Sequence, residues 1–398
     1  MTQAAREGDP PFGDLPSTAD VVVIGMGVIG AFVACALARR GVRTLAIDAH
    51  APPHAHGSSH GETRMFRLAY AEGAVYAPLL ARAHAAWTTL QREGGEPIFE
   101  ACGIAYVGRP DGALISQTRA SARDNGLSVE DVGAADAAAR FPHLRVDDGR
   151  VLLFEPTGGF IHVDAAVRAA LSDAATHGAT LCAGPRVVGV EPAVGARVAG
   201  VTVRTDRGSV AAGAVVIAAG ARTAALAPSI ASALTVERRT LHWFEAAEPS
   251  TASAGFTPFC FDLEDEGWFY GFPPVDGATV KVANHHLGSP VASMDAVQDA
   301  APETDAPAFE RWVRRLTPGL GARRRSAACA YTMTPDERFI IGPDPERAGV
   351  FLCAGMSGHG FKFAPAIGEA IAETIETGQA SVDLTAFSPA RFAASNGG

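Results

Sequence analysis

The sequence predicts a protein of mixed class, α/β plus α+β, with one unit assembled from separate stretches of chain and a second built on an antiparallel sheet. Three observations predict this. An apolar run at 21–25, a helical pattern through Ala38 and a second apolar run at 44–47 read as β-α-β, since a 3.6-residue apolar period marks a helix and short apolar runs mark buried strands. Related elements return at 214–218, before the turn Ala219-Gly220-Ala221, and at 350–354, before a Gly-rich turn and a helix from about 365 to 377. From 236 to 287 the pattern alternates, as in strands with one solvated face.

The remaining elements fill in between these landmarks. Residues 76–93 are Ala/Leu-rich at helical spacing, and short strands at 104–107 and 151–154 follow with small helices. The polar stretch 288–307 reads equally as a loop or a short helix. At 398 residues the chain exceeds one ordinary domain, for which about 150 residues is typical. The expected division is an arm at 1–19, a first unit from 20–80, 150–228 and 318–398, and a second unit from 81–149 and 229–317.

Composition narrows the class of function. Hydrophobic residues make up 47% and charged residues 19%, a globular balance, and no apolar run reaches the roughly 20 residues that span a bilayer. The first twenty residues hold acids and prolines where a signal peptide would be basic and then apolar. A flexible arm and a cytoplasmic protein are therefore expected. The six cysteines, Cys35, Cys102, Cys182, Cys260, Cys329 and Cys353, include no CxxC pair, so neither disulfides nor a zinc site is expected in a reducing compartment. A formal net charge of -10 disfavours nucleic acid and anionic membranes, which require a basic surface. Any positive charge in a site must then be local.

Gly25-Met26-Gly27-Val28-Ile29-Gly30 lies between a predicted strand and a predicted helix, the context that gives GxGxxG meaning. Gly25 permits the tight turn, Gly27 allows the backbone to approach a pyrophosphate, and Gly30 lets helix and sheet pack closely. Val28 and Ile29 open the helix, whose positive end faces the phosphates. Asp48 ends the second strand, placed to accept from a ribose diol. This is a Rossmann-like dinucleotide unit. The fingerprint alone does not separate NAD from FAD.

The segment His56-Gly57-Ser58-Ser59-His60-Gly61-Glu62-Thr63-Arg64-Met65-Phe66-Arg67 separates them. It resembles the monomeric sarcosine oxidase and N-methyltryptophan oxidase family, within the D-amino-acid-oxidase-like flavoproteins. The resemblance continues through Tyr270-Gly271-Phe272-Pro273, Lys281, His285, Cys329-Ala330-Tyr331-Thr332, Asp336 to Ile341, and Ser357 to Phe363, and covers about 20 to 391. It implies an FAD-binding domain joined to an antiparallel-sheet substrate domain. It also implies FAD contacts at Ser59, His60, Thr63, Arg64, Val187, Gly220, Met356, Gly358, His359, Gly360 and Lys362, besides the fingerprint residues. Cys329 matches the family's attachment point for the flavin 8α-methyl, a thioether. A thiolate is the reactive form, and the preceding basic run Arg323-Arg324-Arg325 is expected to favour it.

The same resemblance assigns roles around the flavin. Arg64 lies near the ring, Arg67 and Lys362 anchor the substrate carboxylate, and Lys281 serves oxygen. His285 contacts the amine, Tyr270 and Tyr331 line the cavity, and Phe261 stands where the sarcosine enzyme has a smaller flexible side chain. Without the resemblance, Arg64 and Arg67 could form a solvated face, Lys281 an edge residue, and the tyrosines core aromatics. Trp268 and Phe269 precede Tyr270 and leave the pocket's size open. His54, His56 and His60 are too loosely spaced for a metal site, with no second ligand cluster.

The expected reaction is FAD-dependent oxidation of the C–N bond of an N-methyl or cyclic secondary amino acid to an imine, with O2 reduced to H2O2, by a monomer that binds small molecules. Two alternatives stand beside it. One is a biosynthetic amine or imine oxidase, or a dehydrogenase, acting on a proline-, pipecolate- or tryptophan-like substrate. The other is a flavin-binding protein without catalysis, against which Arg67, Lys281 and Lys362 argue.

Overall fold

The computed structural model describes residues 11–393 except 94, 148, 193–199, 247–254, 298–302 and 304. Five parallel strands form the centre of the first sheet, in the order Val350–Ala354, Gly208–Ile217, Thr18–Ile24, Thr44–Asp48, Thr180–Ala183. Their apolar runs are buried on both faces: Val22, Val23, Val215 and Val216 are inaccessible to solvent, as in any sheet covered on both sides. Val187–Pro192 and Val201–Thr205 extend one edge antiparallel, and Ile340–Pro343 pairs antiparallel with Val350–Ala354.

Helix Val28–Arg39 packs between Val163–Thr176 and Ala364–Thr377. The approach is possible because two glycines lack side chains. A Cβ on Gly30 would stand 1.8 Å from the Gly25 carbonyl, and one on Gly368 would stand 2.5 Å from that of Phe32.

The second sheet has nine strands and is organised on Thr235–Ala246, which pairs with Thr279–Asn284 on one side and Leu320–Met333 on the other. Beyond Thr279–Asn284 come Trp268–Gly271, Phe259–Asp262, Ile104–Gly108, Val151–Glu155 and Glu130–Val132. Helix Ala306–Leu316 covers one face, and its Phe309, Trp312, Val313 and Leu316 share a core with Phe244, Phe259, Phe261 and Phe269. A small sheet of Thr63–Phe66, Gly159–His162 and Phe99–Glu100 lies beside these two.

The class and the mostly antiparallel second sheet, in which Phe259–Asp262 and Ile104–Gly108 pair parallel, agree with the sequence reading, while several expected boundaries do not. A cut at 80/81 would divide helix Ala77–Glu93, whose Leu79, Leu80, Ala83 and Trp87 belong to the core beneath the first sheet. Leu320–Met333 and Val151–Glu155 were expected with the nucleotide unit but are paired into the antiparallel sheet. The strand expected at 214–218 begins earlier, at Gly208, because its first half pairs with Val201–Thr205. The arm is shorter than 1–19: Gly13 already donates to the Leu181 carbonyl at 2.8 Å, and a strand begins at Thr18, while residues 1–10 lie outside the described part. Of 288–307, the described residues form a short pairing at Ser289–Pro290, a turn of 3-10 helix at Asp295–Val297 and the start of helix Ala306–Leu316. Among the described residues no helix is long and apolar enough to cross a membrane.

Candidate active site

A cleft of about 840 Å³ opens at the carboxyl ends of the parallel strands, where doubly wound sheets place their ligands. Gly25, Gly27, Val28, Ile29, Asp48, Ser59, Arg64, Val187, Gly220, Cys329, Met356, Gly358 and Gly360 all line it. Gly25 turns with φ +98°, and a Cβ there would stand 2.5 Å from the Ala218 carbonyl. Gly30 does not line the cleft; it sits in the first turn of helix Val28–Arg39, packed against the Gly25 carbonyl. Asp48 accepts the Met26 N–H at 2.8 Å and the His50 N–H at 3.0 Å, and lies 3.3 Å from Nε2 of His54. Burial alone would raise its pKa, but these hydrogen bonds, His54 first, hold the carboxyl below the ordinary range. A glycine cradle, a helix N-terminus and an ionised acid across the cleft fit a dinucleotide's pyrophosphate and ribose.

A second, smaller chamber of about 70 Å³ adjoins the cleft, and Arg64, Tyr331, Gly358 and Phe361 line both. Its other walls are Met65, Arg67, Cys260, Trp268, Tyr270, Phe272, His285, His359 and Lys362. Arg67 and Lys362 are both buried here, and each stands over the ring of Tyr70, Arg67 Cζ at 5.1 Å and Lys362 Nζ at 4.8 Å from its centroid. Lys362 Nζ donates to the His359 carbonyl at 3.1 Å and reaches the Tyr70 hydroxyl at 3.5 Å. Nε2 of His359 faces the Glu337 carbonyl at 3.2 Å and must donate to it, so Nδ1 accepts from Tyr70 at 2.7 Å. Burial first, and the nearby Arg67 second, lower the Lys362 ammonium to a pKa of about 7.

Arg67 forms an ion pair with Glu72, an acid that the sequence reading did not single out. Its only signal was a carboxylate five residues beyond Arg67 in a stretch of small and apolar side chains. Nη1 of Arg67 is buried without a partner among the described residues. A buried unpaired donor is costly, and here it borders the chamber.

Lys281, His60 and Thr63 lie behind Arg64. Nζ of Lys281 donates to the carbonyls of Gly61 at 2.6 Å and Thr63 at 2.7 Å and stands 4.3 Å over the Phe272 ring. Burial and then Arg64 push this ammonium well below its ordinary pKa, against the opposing pull of Glu62. His60 is pushed down to about 4 by burial, Arg64 and Lys281. Among the described residues no group of three or more His, Cys, Asp or Glu is arranged to hold a metal.

Cys329 is buried and lines the cleft, but the basic run before it is not its electrostatic neighbour. Arg323 pairs with Glu303, Arg324 with Glu245 and Arg325 with Glu62. The cation beside the sulfur is Arg64, with Nη2 at 3.9 Å.

His285, just past strand Thr279–Asn284, lies with Nδ1 3.5 Å from the Tyr331 hydroxyl, and the Trp268 ring is stacked near it at 6.0 Å. Burial, then His286, His359, Arg67 and Lys362, hold His285 well below its ordinary pKa, so it is neutral. Phe261 does not border the chamber, contrary to expectation. Neighbours along a strand face opposite sides, and Phe259 and Phe261 point into the core under helix Ala306–Leu316 while Cys260 lines the chamber. Burial pushes the Cys260 thiol up to about 12.

A nucleotide cleft joined to a cation-bearing chamber suits an oxidoreductase with a dinucleotide cofactor, and the chain belongs to the FAD dependent oxidoreductase family, which residues 20–374 match. It is 34% identical over 374 residues to the N-methyl-L-tryptophan oxidase of Yersinia pestis (strain Pestoides F), across 94% of this chain and 99% of that protein. Its fold is similar to that of NikD, an unusual amino acid oxidase essential for nikkomycin biosynthesis, with TM-score 0.82 and 24% identity over 94% of this chain and 98% of that one. The L-proline dehydrogenase of P. horikoshii is similar too, with TM-score 0.81 and 22% identity over 95% and 98% of the two chains. These two likenesses speak for the fold. The expectation of an FAD-dependent enzyme of this oxidase family stands.

Proposed function

We propose that this enzyme oxidises the C–N bond of a small secondary amino acid to an imine, with O2 reduced to H2O2. The observation that carries the reading is the pairing of two buried cations, Arg67 and Lys362, in an aromatic chamber that opens onto the cofactor cleft at Arg64 and Tyr331. The relationship to N-methyl-L-tryptophan oxidase supports an N-alkylated amino acid as the substrate class. The chamber of about 70 Å³ is small beside the cleft of about 840 Å³, which favours a substrate the size of sarcosine over one bearing an indole.

FAD, when bound, accepts two electrons from the substrate and returns them to oxygen. The protein's own groups do the rest. Arg67 and Lys362 hold the carboxylate through charge-assisted hydrogen bonds, Arg67 using the buried Nη1 that has no other partner among the described residues. Neutral His285 and the Tyr331 hydroxyl orient the amine, which must be unprotonated to react. Aromatic walls exclude bulk water from the reacting C–H bond. Lys281 supplies positive charge close to where oxygen is reduced, and Cys329 attaches the flavin covalently. The imine leaves to be hydrolysed. All six cysteines are free, which suits a reducing compartment, and we place the enzyme in the cytoplasm as a monomer.

The test is a panel of sarcosine, N-methyltryptophan, proline and pipecolate, each read for peroxide in air and for flavin bleaching without it. Peroxide with the smaller amino acids is expected. Bleaching without peroxide assigns a dehydrogenase, and no bleaching by any member overturns the reading.

A further inference from the structure

Three successive backbone N–H groups follow Arg67, in a segment that is neither helix nor strand. Leu68 donates to Oε1 of Glu155 at 2.7 Å, Ala69 to the same oxygen at 3.3 Å, and Tyr70 to Oγ of Ser121 at 2.9 Å. The other oxygen of Glu155 accepts the Tyr106 hydroxyl at 2.6 Å. Glu155 is 0% exposed and ends strand Val151–Glu155, while Ser121 belongs to helix Ala113–Asp124. The stretch carrying Arg67, Tyr70 and Glu72 is thus shaped by side chains that arrive from elements far along the chain, not by a backbone ladder.

A carboxylate suits this place because all the groups facing it donate. Ionised, it is acceptor-only and takes several donors on two oxygens. Burial raises its pKa, opposed by the hydrogen bonds from Tyr106, Leu68 and Ala69 and then by the charge of Arg67. A buried carboxylate in so apolar a setting is retained at a desolvation cost. What it secures is the path of the chain beside the chamber, which Glu155 itself does not border.

We propose that Glu155, assisted by Ser121, is a positioning residue for the anion-binding wall: it fixes residues 68–70 so that Arg67 and Lys362 both stand over the Tyr70 ring beside the chamber. The inference rests on the reading of Arg67 and Lys362 as a carboxylate site. Small displacements of such groups matter, because charge-assisted pairs depend on both distance and direction.

The experiment uses FAD-loaded enzyme and two probes of similar size, acetate and acetamide, titrated against the flavin absorbance spectrum. Wild type binds acetate more tightly than acetamide. Glu155→Gln weakens acetate by about 10-fold, the factor of one hydrogen bond at the upper end of the ordinary range, and leaves acetamide unchanged. Ser121→Ala weakens acetate in the same direction and speeds hydrogen exchange at the Tyr70 amide. Wild-type acetate affinity in both variants overturns the positioning role and leaves the carboxylate site standing. Equal binding of acetate and acetamide by wild type removes the carboxylate site, and the positioning role with it. Should Glu155→Gln fail to fold, Ser121→Ala decides: faster exchange at Tyr70 with unchanged acetate affinity overturns the proposal.

Discussion

Nη2 of Arg64 stands 3.9 Å from the sulfur of Cys329, whereas the arginines that precede Cys329 in sequence are paired with carboxylates. Cys329 is the proposed point of covalent attachment to the flavin, and Arg64 is the cation that contacts its sulfur. The denatured protein is therefore expected to keep its flavin, seen as a fluorescent band on an acid-treated gel. Cys329→Ser should release free FAD, and a band that persists in that variant moves the attachment elsewhere. Arg64→Met should slow attachment while leaving the sulfur in place.

Lys362 sets the pH dependence of carboxylate binding. Its folded pKa of about 7 lies below the ordinary lysine value, so the cation is present below that pH and is lost as pH rises through it. The groups around it do not titrate there: His359 is held at about 3, Glu72 is lowered, and Tyr70 is raised. Acetate is expected to bind more weakly as pH rises from about 6 to 8, by up to tenfold per unit for one linked proton. Lys362→Met should flatten this profile and weaken binding by about 10- to 150-fold, the worth of one charged hydrogen bond. A profile of the same slope in Lys362→Met assigns the titration to another group.

Lys281 separates the two halves of a catalytic cycle. Its nitrogen is anchored by the carbonyls of Gly61 and Thr63 and lies over the Phe272 ring, behind Arg64. Lys281→Met is expected to slow flavin reoxidation by about 10²- to 10³-fold, the usual worth of an oxyanion donor, with a much smaller effect on anaerobic reduction. Stopped-flow traces of each half-reaction measure this. Equal slowing of both makes Lys281 a structural anchor of the 61–63 turn.

Trp268 limits the size of what enters. Half-buried, it stacks near His285 and stands 5.7 Å from the Arg67 guanidinium. Trp268→Ala should raise kcat/KM for N-methyltryptophan relative to sarcosine, while sarcosine itself loses the ring that helps hold Arg67 and His285 in place. An unchanged ratio means that another wall, such as Met65 or Tyr270, sets the limit.

How much of this was legible in the sequence follows from what each feature depends on. The glycine turn and Asp48 were legible because their work is local: a backbone conformation and the end of the adjacent strand. Arg67 and Lys362 were legible only through the family resemblance, since taken alone Arg67 could have belonged to a solvated face. The chamber wall was not legible, since Phe259, Cys260 and Phe261 are all plausible linings until the pairing of Cys260 with Tyr270 fixes which face each takes. Glu72 and Glu155 looked like ordinary acids because their partners are chosen by the fold. The arginines at 323–325 misled for the converse reason, as closeness in sequence along a strand is not closeness to the same face. Unit boundaries slipped where a strand such as Leu320–Met333 pairs with a segment some distance back along the chain.

Helix Val28–Arg39 is buried over most of its surface, flanked by one helix at Val163–Thr176 and another at Ala364–Thr377. On the ribosome the first of these partners is made early and the second almost last. At about 5–20 residues per second, the apolar face meant for Ala364–Thr377 is uncovered for on the order of half a minute, and the strand Val350–Ala354 that borders the cleft is missing for nearly as long. A nascent chain in that interval has its glycine turn and Asp48 but no place for a whole dinucleotide. Cofactor capture is consequently a late event in the life of the molecule, and slowing translation before residue 350 should raise its demand for chaperones more than slowing it afterwards.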